Sequence, residues 1–121
     1  MITKINAVSL YVVDQERSLR FYVDALGFEV RTDASMGPMG RWIEVAPPGA
    51  QTTLVLADAA AFHKEDRIGL SADITLRCDD VYALHKSLTA SGASVEEPEK
   101  QEWGTFIHVT DPDGHTFVVS S

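Results

Sequence analysis

Nine residues of this chain occur twice in closely similar form. Gly40–Pro48 reads GRWIEVAPP and Gly104–Pro112 reads GTFIHVTDP, at a constant offset of 64 (104 − 40 and 112 − 48). Glycine, isoleucine, valine and proline recur at matching places, and Trp42 is answered by Phe106. Past one gap, Thr53–Leu56 (TLVL) is answered by Thr116–Val119 (TFVV). Upstream, Ala7–Asp14 (AVSLYVVD) matches Asp73–Asp80 (DITLRCDD) at an offset of 66 (80 − 14). Each upstream stretch alternates, ends in aspartate and leads into a helical pattern that stops at a glycine, Gly27 or Gly92. Either match alone is weak. Two matches in the same order predict one module written twice, about residues 1–60 and 68–121. A module this short buries little by itself, so the halves are expected to share one core in a single domain.

Composition narrows the function classes. The apolar fraction of 45% is ordinary for a globular chain. No apolar run is long enough to span a bilayer, and MITKINAV has no charged-then-apolar leader, so a cytoplasmic protein without a membrane partner is expected. Cys78 is the single cysteine and cannot form an internal disulfide, which fits a reducing compartment. The formal net charge of −8 argues against nucleic acid, whose binding is dominated by phosphate neutralisation. An acidic surface favours a cationic ligand, although solubility alone accounts for it.

The local patterns give each half the order βαβββ. Ile5–Val13 alternates as a strand, and Asp14 is placed to cap a helix carrying Leu19, Tyr22, Val23 and Leu26 at helical spacing. Gly27 follows as the residue past the helix end, where positive φ costs glycine little. Strands are expected from Phe28, over Arg41–Val45 and over Thr52–Leu56. The mixed-charge run His63–Arg67 then falls in a surface linker of residues 57–70. In the second half Ala72–Cys78 reads as a strand. Asp79 or Asp80 caps a helix bearing Val81, Leu84 and Leu88, with His85 on its border. Ala93–Glu96 begins a strand, residues 97–102 form a polar connection, and Gly104–Val109 and Thr116–Ser120 are strands. Asp111–Gly114 (DPDG) joins the last two as a turn, which puts His115 at the surface.

This tandem α+β plan resembles the vicinal-oxygen-chelate superfamily of glyoxalase I, extradiol dioxygenases and bleomycin-resistance proteins. VVDQERSLRFYVDALGFEV is similar to that family's first strand and helix, and DPDGHTFVV to its last turn and strand. The resemblance covers essentially the whole chain and implies a curved mixed sheet. It does not choose an activity, because the fold hosts many. In the metal-dependent members, His or Glu ligands come from the first and fourth strands of each module and face the hollow side of the sheet. The corresponding positions here are Ala7, Val55, Asp73 and Val118. Three of them offer no donor, and Asp73 alone cannot hold a divalent ion, so no metal and no cofactor is expected there.

With Ala7 on the hollow side, strand parity places Ser9, Tyr11, Thr53, Val55, Asp73, Thr75, Arg77, Thr116 and Val118 there too. Ile43, Val45, Ile107, Val109 and Cys78 then face the core. Trp42, Glu44, Phe106 and His108 fall on the hollow side, and Trp103 borders it. An apolar, aromatic cup with a few polar groups is the usual make-up of a small-molecule site. Each residue also has a plainer role: Arg77 can pair with Asp73 or Glu44, and Trp42 and Phe106 can be covered in a dimer contact. The expected function is small-molecule binding of the bleomycin-resistance, sequestration type, in a homodimer. The alternative is a lyase or dioxygenase-like enzyme. It would use either a relocated metal site at Glu44, Asp73 and His108 or a metal-free base at His108, with His108 and Glu44 as the catalytic candidates.

Overall fold

The structure, a computed structural model, describes residues 1–70 and 73–121. The first half contains β1 (Ala7–Val12), α1 (Gln15–Arg20), β2 (Glu29–Ser35), β3 (Arg41–Ala46) and β4 (Thr53–Asp58). The second contains β5 (Ile74–Arg77), α2 (Val81–Ala90), β6 (Ser94–Val95), β7 (Glu99–Gln101), β8 (Gly104–Thr110) and β9 (Thr116–Ser120). The strand expected from Ala72 has its first residue outside the described ones. The polar connection 97–102 is not wholly irregular, since β7 within it pairs with β8.

The strands form two sheets, ordered β1-β4-β3-β2 and β5-β9-β8-β6. In each, the first strand lies parallel to the last and the other pairings are antiparallel. One row of neighbours crosses the first sheet at Ser9, Val55, Glu44 and Thr32, and another crosses the second at Thr75, Val118 and His108. The faces follow from alternation, because one side of β1, β3, β4, β8 and β9 is buried in the core with the helices. Leu10, Val12, Ile43, Val45, Leu56, Ile107, Val109 and Phe117 are buried. All of these but Val12 join Tyr22 of the first helix and Val81 and Leu88 of α2 in one core shared by both halves. The opposite faces of the two sheets therefore point away from that core.

Both helices start as their caps dictate. Asp14 accepts from the Arg17 amide at 3.1 Å, and Asp80, the second of the two aspartates considered, accepts from the amides of Tyr82 and Ala83. They end differently. Past α2, Gly92 (φ +80°) lets the Ala93 amide reach the Leu88 carbonyl, five residues back, at 3.0 Å. The first helix widens into a π turn over Phe21–Ala25, and beyond Gly27 the Phe28 amide reaches Tyr22, six residues back, at 2.9 Å. The cap-to-glycine spacing explains this: 27 − 14 = 13 residues against 92 − 80 = 12. The widened turn holds the additional residue.

The two halves are locked together at the DPDG turn. The Tyr22 hydroxyl donates to Asp111 Oδ2 at 2.6 Å, and Asp111 Oδ1 accepts from the amides of Asp113 and His115. Asp113 in turn accepts from the Val13 amide, the Ser18 hydroxyl and the Arg17 guanidinium. His115, expected at the surface from its place after a turn, is fully buried. Its Nε2 lies 2.9 Å from the Tyr11 carbonyl and 3.3 Å from the Gly69 amide, so the ring joins β1, the linker and the last turn.

Candidate functional site

On the outer face of the first sheet, β4 supplies an apolar floor. Val55 is 1% exposed, and Thr53 and Ala57 are buried beside it. Trp42 and Glu44 rise from β3 next to this floor, since they are two residues apart on one face and Glu44 pairs with Val55. The Trp42 Nε1–H donates to Glu44 Oε1 at 2.8 Å, and the Thr53 hydroxyl donates to Oε2 at 3.2 Å. Ser9 is exposed along β1 and Tyr11 is half-buried.

The outer face of the second sheet carries an aromatic ladder. Trp103, in the turn between β7 and β8, is 66% exposed and stacks on Phe106 with centroids 5.5 Å apart and planes within 14°. Phe106 meets the His108 ring edge-on at 5.5 Å. His108 Nδ1 lies 3.2 Å from Glu96 Oε2, and among the described residues Nε2 has no hydrogen-bond partner. Glu96 had no assigned role in the sequence. The signal that finds it is parity: Ser94 pairs with Thr110, and Glu96, two residues on, shares the face of His108.

The remaining positions spread along the second sheet. Asp73, Thr75 and Arg77 are exposed at its β5 edge. Arg77 has no ion pair with Asp73 or Glu44 among the described residues. It borders a cleft of about 150 Å³ with Leu26, Pro47 and Cys78. Burial, with the charges of Asp79 and Asp80, pushes the Cys78 thiol up, so it stays protonated near neutral pH. Glu44 stands on one sheet and His108 and Asp73 on the other, and β9 separates β5 from β8. The described residues place no three His, Cys, Asp or Glu side chains where they could hold a metal ion. Ala7, Val55 and Val118 offer no donor at the positions the family resemblance marks. A wider cleft, about 440 Å³, opens between Phe21–Ala25, Ser91–Ser94 and Thr110–Pro112. Neither cleft includes Trp42, Glu44, Trp103, Phe106 or His108. Within one chain these five stand on the outer sheet faces and in the turn before β8, apart from both clefts.

The profile of the glyoxalase/bleomycin resistance protein/dioxygenase superfamily matches residues 4–119. The chain belongs to this superfamily. The YetH protein of Bacillus subtilis is 35% identical over 120 residues, 98% of each chain. Among solved structures, TnmS3, an antibiotic-binding protein from Streptomyces sp. CB03234, is 35% identical with a TM-score of 0.83, covering 98% of this chain and 95% of that one. A superfamily member from Sphaerobacter thermophilus is 32% identical with a TM-score of 0.84, covering 98% and 97%. The α+β architecture expected from the repeated pattern is the architecture of these neighbours. No helix among the described residues is long and apolar enough to cross a membrane.

Proposed function

We propose that this superfamily member binds a small planar molecule and holds it out of reach, without making or breaking a bond. The observation that carries the reading is the exposed Trp103 stacked on Phe106. A large aromatic residue, 66% exposed in the turn before β8, offers a second flat molecule the same parallel contact. Similarity to an antibiotic-binding protein supports it. So do the donor-free residues Ala7, Val55 and Val118, which leave an apolar floor where metal-dependent relatives chelate. The proposed binding set is Tyr11, Trp42, Glu44, Asp73, Arg77, Trp103, Phe106 and His108.

The chain's two tryptophans, Trp42 and Trp103, both stand on these outer faces, so tryptophan emission reports on them directly. Titration with flat aromatic antibiotics should quench the emission and raise the melting temperature, since a ligand of the native state stabilises it. Trp103→Ala should weaken the best binder about three- to tenfold, the loss of one aromatic stack. Equal affinity in the variant would place the ligand elsewhere.

A second copy in a symmetric homodimer is proposed to face these residues and to cover the edge strands. Light scattering should give 2 × 13.2 = 26.4 kDa. A 13.2 kDa species at micromolar concentration counts against this.

The His108–Glu96 pair favours a second reading, a metal-free general base with Glu96 orienting the ring. Mass spectrometry of the recovered ligand separates the two, because sequestration returns it unchanged.

A further inference from the structure

From Glu44 we infer that the first sheet's outer face selects ligands bearing a positively charged nitrogen on a flat ring; this rests on the binding reading above. Glu44 is half-buried over a dry floor, with Val55 1% exposed directly beside it. Its two oxygens are fixed by neutral donors, the Trp42 indole N–H and the Thr53 hydroxyl. A carboxylate offers about four acceptor positions, so two stay open. No Lys, Arg or His among the described residues lies within ion-pair distance of it. The arginines of the same sheet are committed elsewhere, Arg31 to Glu29 and Arg41 to Asp33 and Glu16. A partly desolvated carboxylate with no cation of its own gains most from one that a ligand brings. The Trp42 ring, tied to the same carboxylate, adds an aromatic face that attracts cations. The chain's net charge of −8 draws such ligands from a distance.

The arrangement also sets geometry. The indole N–H bond holds Glu44 Oε1 alongside the Trp42 ring, so a protonated ring nitrogen can meet the carboxylate while its own plane lies against the indole. A neutral ring keeps only the stacking. An anionic ring faces repulsion from Glu44, and no cation among the described residues lies within ion-pair distance of Glu44 to offset it.

Three tricyclic probes of similar area test this: 9-aminoacridine, a cation at neutral pH, neutral 9-anthracenemethanol, and anthracene-9-carboxylate. Dissociation constants are measured by tryptophan quenching and by calorimetry. The wild type should bind 9-aminoacridine about tenfold tighter than the neutral probe, as one charge-assisted hydrogen bond supplies, and the anion weakest. Glu44→Gln should cost the cation about tenfold and the neutral probe clearly less, so that the preference for the cation is lost. Trp42→Phe, which keeps an aromatic face but loses the N–H that aims Glu44, should narrow the preference. Should Glu44→Gln fail to fold, added salt on the wild type decides, weakening the cation alone. Equal affinities for cation and neutral probe, or a cation affinity untouched by Glu44→Gln, overturn the inference and leave the binding reading standing. Failure of all three probes to bind overturns both.

Discussion

Asp111→Ala is expected to lower the melting temperature by roughly 15 °C. The carboxylate is buried and accepts from three donors: the Tyr22 hydroxyl at 2.6 Å and the amides of Asp113 and His115 at 2.9 and 2.8 Å. Alanine leaves all three unmet in a place that water reaches poorly. Charge-assisted bonds contribute about 1.5–3 kcal/mol each, and one amide of the turn can recover a partner, so a net loss of about 4 kcal/mol follows. At about 2.1 cal/mol/K per residue the unfolding entropy converts that loss into the stated shift. Tyr22→Phe removes one donor and should cost about half as much. The double variant should cost less than the sum, since both act on one bond. Burial, and then the charge of Asp111, push the Tyr22 phenol up. Above about pH 10 the unfolded phenol loses its proton while the folded one keeps it, so wild-type stability falls as pH rises there. That part of the slope should vanish in Tyr22→Phe. A calorimetric scan in which Asp111→Ala melts within about 3 °C of wild type would mean that the turn does not hold the halves together.

Gly69→Ala should cost nearly as much, for a steric reason. Gly69 lies in the left-handed region at φ +76°, and a Cβ there would sit 2.8 Å from the Asp113 carbonyl oxygen. Gly49 is the matched control: its φ is +79°, and a Cβ there meets nothing within 4 Å. Both substitutions carry the backbone penalty of about 1–2 kcal/mol. Only Gly69→Ala adds an overlap with main chain that cannot swing aside, which brings it to about 3 kcal/mol or more. Expected drops are roughly 6 °C for Gly49→Ala and roughly 12 °C for Gly69→Ala. Equal drops would show that linker and turn can part without cost. The Gly69 amide also meets the His115 ring, so its displacement disturbs β1 through the Tyr11 carbonyl.

Strand faces were legible in the sequence because a period of two couples each residue's direction to burial. Leu10, Val12, Ile43, Val45, Ile107 and Val109 all lie inside as alternation required. The cap at Asp14, that at Asp79 or Asp80, and the stops at Gly27 and Gly92 were legible too, since each rests on chemistry within six residues. What escaped depends on partners far along the chain. His115 follows a strong turn signal, and turns belong to surfaces. Its burial is decided by Tyr11, 104 positions away. Tyr22 fell on the expected apolar stripe, but nothing local pairs its hydroxyl with Asp111, 89 positions on. Gln15 and Ser18, buried polar groups on the first helix, are settled by Arg41, Leu56 and Asp113. At the candidate site, parity put Trp42 with Glu44 and Phe106 with His108. The rotamers that join indole to carboxylate, and His108 to Glu96, depend on packing that no periodicity encodes.

The π turn of the first helix bears on how the two halves can differ in length. An added residue in a regular helix turns everything after it by about 100°, which would swing Phe28 out of the core and misdirect β2. Here the surplus is confined between Phe21 and Leu26, and Gly27 still ends the helix with Phe28 buried behind it. Insertion is thereby made a local event, absorbed within one turn. An alignment of the halves at a fixed offset breaks at this helix, while the folded elements on either side of it remain in phase.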